Sequence, residues 1–277
     1  MITFRPAGCN ALLPLPASGL IIARRMRRIY LARLAVGRIE LPRGEARHVR
    51  DVLRLTEDRE VEAFDAAGRV GRGRLIAVGP GGVAVQIERI EAPPSRPGAV
   101  SVASAVPKST RADWMIEKLS ELGVDRFIPL ASRRSVVRPQ EGKLARWRRV
   151  AEQSAKQSRR VGIMQIEPVV ELPDLLEWPL EQGQVRWCLS TGEDAVPMLQ
   201  LAATMPPSVM LLVGPEGGWA EDELALLAAA GVAAARLTST VLRIETAAVA
   251  AAAIVQSALT GRPSAATIHG PPQREGL

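Results

Sequence analysis

The chain has 277 residues, 47% of them hydrophobic and 23% charged, which is globular composition with room for one large domain or two ordinary ones. Aromatic residues make up only 3%, so the core must be built from Leu, Val, Ile and Ala, and the net charge of +7 suits a polyanionic partner. Two cysteines, Cys9 and Cys188, exclude a disulfide framework and a zinc cluster, and they point to a reducing, cytoplasmic setting.

No apolar run reaches the length of a membrane span. Residues 1–27 are apolar in part, but Pro14 and Pro16 interrupt them and the arginines follow the apolar stretch. A secretory signal has the opposite order. The segment reads as a poorly structured leader, or as sequence upstream of a start at Met26.

From 28 to 92 the pattern is strand-rich. "GVAVQIERI" puts Val83, Val85 and Ile87 on one face, and Pro80, Gly81 and Gly82 supply a turn before it. "GEARHVRDVLRL" interrupts with one or two helical turns carrying Val49, Val52 and Leu53 on one side. This predicts a small barrel or sandwich. "APPSRPG" then excludes regular structure, and 93–98 is the expected linker.

Beyond it strands and helices alternate. "VSVASAV", "RFIPL", "VRWCL" and "VMLLV" are buried-type strands. "RADWMIEKLSELG" is a helix with Met115, Leu119 and Leu122 on one face, stopped at Gly123, and a long basic helix runs from about Lys143 to Arg160. "IETAAVAAAAIVQSAL" is the last helix. Such alternation predicts an α/β domain over 99–265 with a mainly parallel sheet, and 266–277 is a tail.

Ligands in such domains collect where strand carboxyl ends meet loops and helix amino termini. Three loops qualify: Leu189, Ser190, Thr191 and Gly192; Val213, Gly214, Pro215, Glu216, Gly217 and Gly218; and Leu237 and Thr238 through Val241, Leu242 and Arg243. The middle loop has neither P-loop nor dinucleotide spacing. Its carboxylates, Glu216, Glu221, Asp222 and Glu223, oppose phosphate, so it is either a sharp strand-to-helix corner or a site for a neutral or cationic ligand. Arg243 and Glu245 have an equally plain reading as an ion pair at a helix start, and His48 as a solvated or capping side chain. Residues 133–160 hold ten Lys/Arg against Glu141 and Glu152, a local excess that favours a polyanionic partner over a uniformly basic surface.

"LLVGPEGGWAEDEL" followed by "VLRIETA" closely resembles the RsmE family, SPOUT-superfamily methyltransferases of N3 of a uridine in 16S ribosomal RNA. The resemblance continues through "AVPKSTRADWMIEKLSELGVDRFIPLASRRSVVR", "RWRRVAEQSAKQSRR" and "ELPRGEARHVRDVLRL", covering about Arg28 to Leu259. It implies a PUA-like RNA-binding domain, then a SPOUT domain with a deep trefoil knot that binds S-adenosylmethionine in the three loops above, in a homodimer that uses no metal. It implies Arg243 as stabiliser of charge developing on the uracil, with Glu245 as proton acceptor or orienter of Arg243. It also implies RNA contacts from Arg28, His48, Arg50, Arg54, Lys108, Arg111, Arg134 and Arg160.

Four positions depart from the family pattern. Thr238 and Thr240 stand where glycine and arginine are usual, Ala220 where a capping Ser or Thr is usual, and Met164 where proline is frequent. The first departure keeps open a non-catalytic RNA-binding or ribosome-assembly protein on the same scaffold, and a SPOUT enzyme with another RNA target is the remaining alternative.

Overall fold

A computed structural model describes residues 26–93, 98–204 and 206–261. The expected leader, except its last two residues, and the tail lie outside these, as does Cys9. So does most of the linker.

The amino-terminal domain is one five-stranded sheet. Its strands are β1 (Arg27–Tyr30), β2 (Gly37–Glu40), β3 (Glu60–Phe64), β4 (Val70–Gly79) and β5 (Gly82–Glu91), in the order β1-β3-β4-β5-β2. β1 lies parallel to β3 and begins at Arg27, one residue before the expected boundary; the other pairings are antiparallel. Val83, Val85 and Ile87 are fully buried, as the alternation predicts. The expected turn joins β4 to β5 at Pro80–Gly81.

Between β2 and β3 lie α1 (Arg43–Arg47) and a π turn (His48–Val52), in which the Leu53 N–H donates to the His48 carbonyl five residues back. The wider π winding corrects the sequence reading. Val49 is fully buried, but Val52 is carried off its face and is 66% exposed.

The second domain carries a sheet in which every pairing is parallel. β6 (Ala99–Ser104), β7 (Arg126–Ala131), β8 (Gln165–Ile166), β10 (Gln184–Leu189), β11 (Val196–Pro197), β12 (Ser208–Val213) and β13 (Ala233–Arg236) run in the order β11-β13-β10-β12-β6-β7-β8, and β9 (Val170–Glu171) adds to β7. Its helices are α2 (Arg111–Glu121), α3 (Glu141–Ser158), α4 (Leu172–Glu177), α5 (Met198–Ala202), α6 (Glu221–Ala229) and α7 (Ile244–Thr260). Both faces of the sheet are covered, so its strands read as continuous apolar runs: all six residues of β12 are buried.

α7 packs against β6, β12 and α2. Ala248, Ala251 and Ala252 on its inner face are fully buried, and small side chains let its backbone approach the sheet closely. Met115 and Leu119 of α2 are fully buried, and Gly123 ends that helix with φ +87°. α3 stops two residues earlier than expected, with Arg159 as a left-handed cap.

Direct contacts fix the two domains to each other. The Arg159 guanidinium donates to the Met26 carbonyl at 2.7 Å, that of Arg28 to the Arg160 carbonyl at 3.2 Å, and the Ile163 N–H to the Ala66 carbonyl at 3.2 Å. Lys156 on α3 reaches Glu45 of the other domain and its own Glu152 (2.9 Å), with the Tyr30 ring 5.8 Å away. Burial alone would lower the Lys156 pKa, but the hydrogen bonds it donates to Glu45 and Glu152 leave it raised.

A raised pKa means the charged lysine stabilises the fold below the unfolded value and the benefit disappears as pH climbs through the folded one. Lys156→Met should therefore cost about 2 kcal/mol, less than a fully buried pair because Glu152 keeps water contact. Denaturant titrations of both proteins check this: the difference should persist through neutral pH and shrink only above 10.5, the ordinary lysine value.

Candidate active site

β13, β10 and β12 are neighbours in the sheet and all run the same way, so their carboxyl ends deliver three loops to one place. The loops enclose a cavity of about 450 Å³. Leu189, Ser190 and Thr191 enter from β10; Val213, Gly214, Pro215, Glu216 and Gly218 from β12; Leu237, Thr238, Val241, Leu242 and Arg243 from β13. Of the expected loop residues, Gly192 and Gly217 do not line it. The Gly192 N–H instead donates to Ser190 Oγ at 3.0 Å, closing its own loop, and Gly217 faces Arg134.

Sequence reasoning missed Trp219, Leu224, Ala235, Ile244 and Ala247, which also line the cavity, as does Thr240 within the third expected loop. Trp219 stands directly after the glycine turn, where a lone aromatic in an aromatic-poor chain was a usable signal. Its indole lies against Gly214: a Cβ there would sit 2.8 Å from Trp219 Cε2 and 3.0 Å from Nε1. Gly214 is therefore required by close approach, not by a left-handed turn. Beneath this wall Cys188 is buried, and burial pushes its thiol up to about 12. It stays neutral and packs as a small apolar side chain.

The lining is apolar except at a few points, and it holds one acid, Glu216, and one base, Arg243. This corrects the charge argument from sequence. Asp222 is turned to Arg133 at 2.6 Å, Glu221 is exposed, and Glu223 is buried, accepting from the Ala220 N–H at 2.8 Å and the Arg133 N–H at 2.9 Å. Glu223 thereby satisfies one of the free amides at the start of α6, which offsets the missing capping side chain at Ala220.

The Thr238 departure is likewise absorbed. Its hydroxyl donates to the Thr240 carbonyl at 2.9 Å and accepts from the Thr240 N–H at 3.3 Å, a turn that the side chain closes itself. Thr238 is not among the left-handed residues, so its backbone does not need glycine.

A family model described as an RNA methyltransferase domain matches residues 94–256, and one described as an RNA methyltransferase PUA domain matches 41–88. Ribosomal RNA small subunit methyltransferase E of Mycobacterium bovis is 38% identical over 226 residues, covering 79% of this chain and 85% of its own. This chain belongs to the ribosomal RNA small subunit methyltransferase E family. The Synechocystis member is 28% identical over 224 residues, 80% of this chain and 73% of its own. The crystal structure of the Neisseria gonorrhoeae member bound to S-adenosyl methionine is 28% identical, with a TM-score of 0.75 over 84% of this chain and 98% of that one.

Against the RNA contacts that family membership suggests, the geometry makes two corrections. The Arg28 side chain is only 6% exposed, paired with Glu62 at 2.7 Å and lying over the Phe64 ring, and its pKa is lowered by burial against the opposing pull of Glu62. Arg160 is buried and donates to the carbonyls of Ser120 and Val124 at 3.1 and 2.6 Å. Guanidiniums spent on backbone and carboxylate partners inside the fold do not reach phosphate.

The others differ in what they touch. Arg50 is paired with Asp51 at 2.7 Å, Arg134 donates to the Gly217 carbonyl at 2.8 Å, and His48 is half-buried in the π turn. Arg54 and Lys108 are exposed. Arg111 lies 3.6 Å from Glu245, which is buried and absent from the cavity lining. The expected Arg243–Glu245 pair is thus replaced by one joining α2 to α7, and Glu245 neither orients Arg243 nor faces the cavity.

The basic segment also changes meaning. Arg133, Arg138, Arg146, Arg148 and Lys156 all have carboxylate partners, most from distant parts of the chain. Among the described residues no group of three or more His, Cys, Asp or Glu could hold a metal ion, and no helix is long and apolar enough to cross a membrane.

Gly214→Ala should force the indole of Trp219 out of its place and distort the middle wall of the cavity. Overpacking of this kind costs about 1–3 kcal/mol. Denaturant titration should register that loss, and tryptophan fluorescence should shift with it; a variant with wild-type values on both would refute the close-approach argument.

Proposed function

We propose that this chain transfers the methyl group of S-adenosylmethionine to N3 of a uridine in 16S ribosomal RNA. The observation that carries the reading is the convergence of three adjacent strand ends on one apolar cavity with a single cation, Arg243, in its lining. A phosphate-bearing ligand would call for several donors; an uncharged purine and a sulfonium do not. The lining fits: Leu189, Val213, Leu237 and Leu242 offer apolar walls, and Glu216 offers the one negative charge.

When bound, S-adenosylmethionine supplies an electrophilic methyl group. The uracil must first lose its imide proton to water, and negative charge then grows on the flanking oxygens. On this reading Arg243, the one cation in the lining, meets that charge. It is the N-cap of α7, so its guanidinium acts beside the positive end of the helix dipole. The apolar walls exclude water and hold the reacting groups in line.

Arg27, Arg54, Arg59 and Arg74 line a second cavity, of about 870 Å³, in the amino-terminal domain. On this reading they take the RNA backbone, with Lys108 on the methyltransferase domain. The same reading includes a trefoil knot around the donor loops and a homodimer. The Thr238 geometry supports catalysis over the non-catalytic alternative, since the turn is closed without the usual glycine.

The test is methyl transfer from labelled donor to small-subunit RNA and to small-subunit particles from a strain lacking the modification, followed by mapping of the product. Labelled N3-methyluridine is the expected result. Donor binding without transfer to either substrate would reject the substrate assignment, and a different modified nucleotide would indicate another RNA target. Arg243→Ala should lower kcat by about 10²–10³, with a smaller change in donor affinity; a shift confined to KM would remove Arg243 from the transition state.

A further inference from the structure

We propose that the loop between β7 and α3 clamps the middle wall of the donor pocket and that Arg134 is its positioning residue. This rests on reading the cavity as the donor site. Family resemblance places Arg134 among RNA contacts, but its guanidinium is turned to the protein: Nη1 donates to the Gly217 carbonyl at 2.8 Å. The stem lies along the same residue, where an added Cβ would stand 3.4 Å from both Cβ and Cδ of Arg134.

The loop holds two further ties to the same segment. The Arg133 N–H donates to Glu223 at 2.9 Å, and the Arg133 guanidinium pairs with Asp222 at 2.6 Å. Glu223 is 4% exposed and its other oxygen accepts from the Ala220 N–H, so this end of the clamp is anchored in buried structure. Ser132 and Ser135 close the loop on itself, hydroxyl to hydroxyl at 2.8 Å and Ser132 N–H to Ser135 Oγ at 3.0 Å. A loop braced in this way can position another.

What it positions is a glycine turn. Gly217 and Gly218 are consecutive, Gly218 has φ +69°, and the turn has one internal hydrogen bond, from the Gly218 N–H to the Pro215 carbonyl at 2.9 Å. Gly217 does not line the cavity, but Glu216 and Gly218 on either side do. Arg134 therefore holds the outer side of a turn whose inner side forms the pocket. Without it the turn spends less time in the binding-competent shape, and the apparent donor Kd rises by the reciprocal of that lost fraction.

Calorimetry with S-adenosylmethionine on the full chain tests this, using Arg134→Met, which keeps the stem and loses the donor, and Arg134→Lys, which keeps one. Because a charge-assisted hydrogen bond on the surface is partly replaced by water, Arg134→Met should raise the donor Kd about five- to tenfold. Arg134→Lys should recover most of it. RNA affinity and its salt dependence, measured without donor, should stay at wild-type values for both.

Unchanged donor affinity in Arg134→Met, with weaker RNA binding and a shallower salt slope, would overturn the clamp and make Arg134 a phosphate contact. Failure of the wild-type protein to bind the donor would instead overturn the reading of the cavity, and the clamp with it. Thermal unfolding of both variants should match wild type, because Arg134 is exposed; a melt lowered equally in both, with donor affinity falling in step, would assign the effect to folding and reject the clamp.

Discussion

A sheet whose strands all run one way has a single carboxyl edge, and everything at this site follows from that constraint. β10, β12 and β13 are separated by helices and loops in sequence but adjacent in the sheet, so three short segments meet without any of them being long. Helices on both faces provide the crossovers that parallel strands require, and they bury the sheet so completely that no polar group in β12 interrupts the apolar run except Ser208 at its start.

Elements with a strong period are legible in the sequence alone. Val83, Val85 and Ile87 alternate as a half-buried strand and are buried; Met115 and Leu119 recur at helical spacing and are buried. The three loops hold most of the cavity lining for the same reason: each directly follows an apolar strand run. The π turn was not legible. Val49, Val52 and Leu53 have helical spacing, and nothing local in that spacing indicates that the backbone closes five residues back, at His48, and turns Val52 outward.

Charge was the least legible property, and the reason is geometric. A count along the chain sees Arg133 to Arg160 opposed only by Glu141 and Glu152, while the folded chain brings Asp222, Glu171, Asp113 and Glu45 to the same arginines and lysine. The four carboxylates around the glycine turn dissolve in the same way, since only Glu216 faces the cavity. Net excess in a segment therefore measures the demand for partners, and only the fold decides whether those partners are protein or nucleic acid.

The same principle separates two kinds of arginine in this protein. Arg28, Arg160 and Arg186 have lost water, and their forks are committed to carboxylate or carbonyl oxygens within the fold. Burial lowers the pKa of Arg28 and of Arg186, which shows that their environments resist the charge rather than present it. Arg243 is the opposite case: exposed, at the end of a helix whose dipole adds to its own field, and in the lining of a largely apolar cavity. Among the residues lining this cavity Arg243 is the only cation, so whatever positive potential a side chain brings to the lining comes from it.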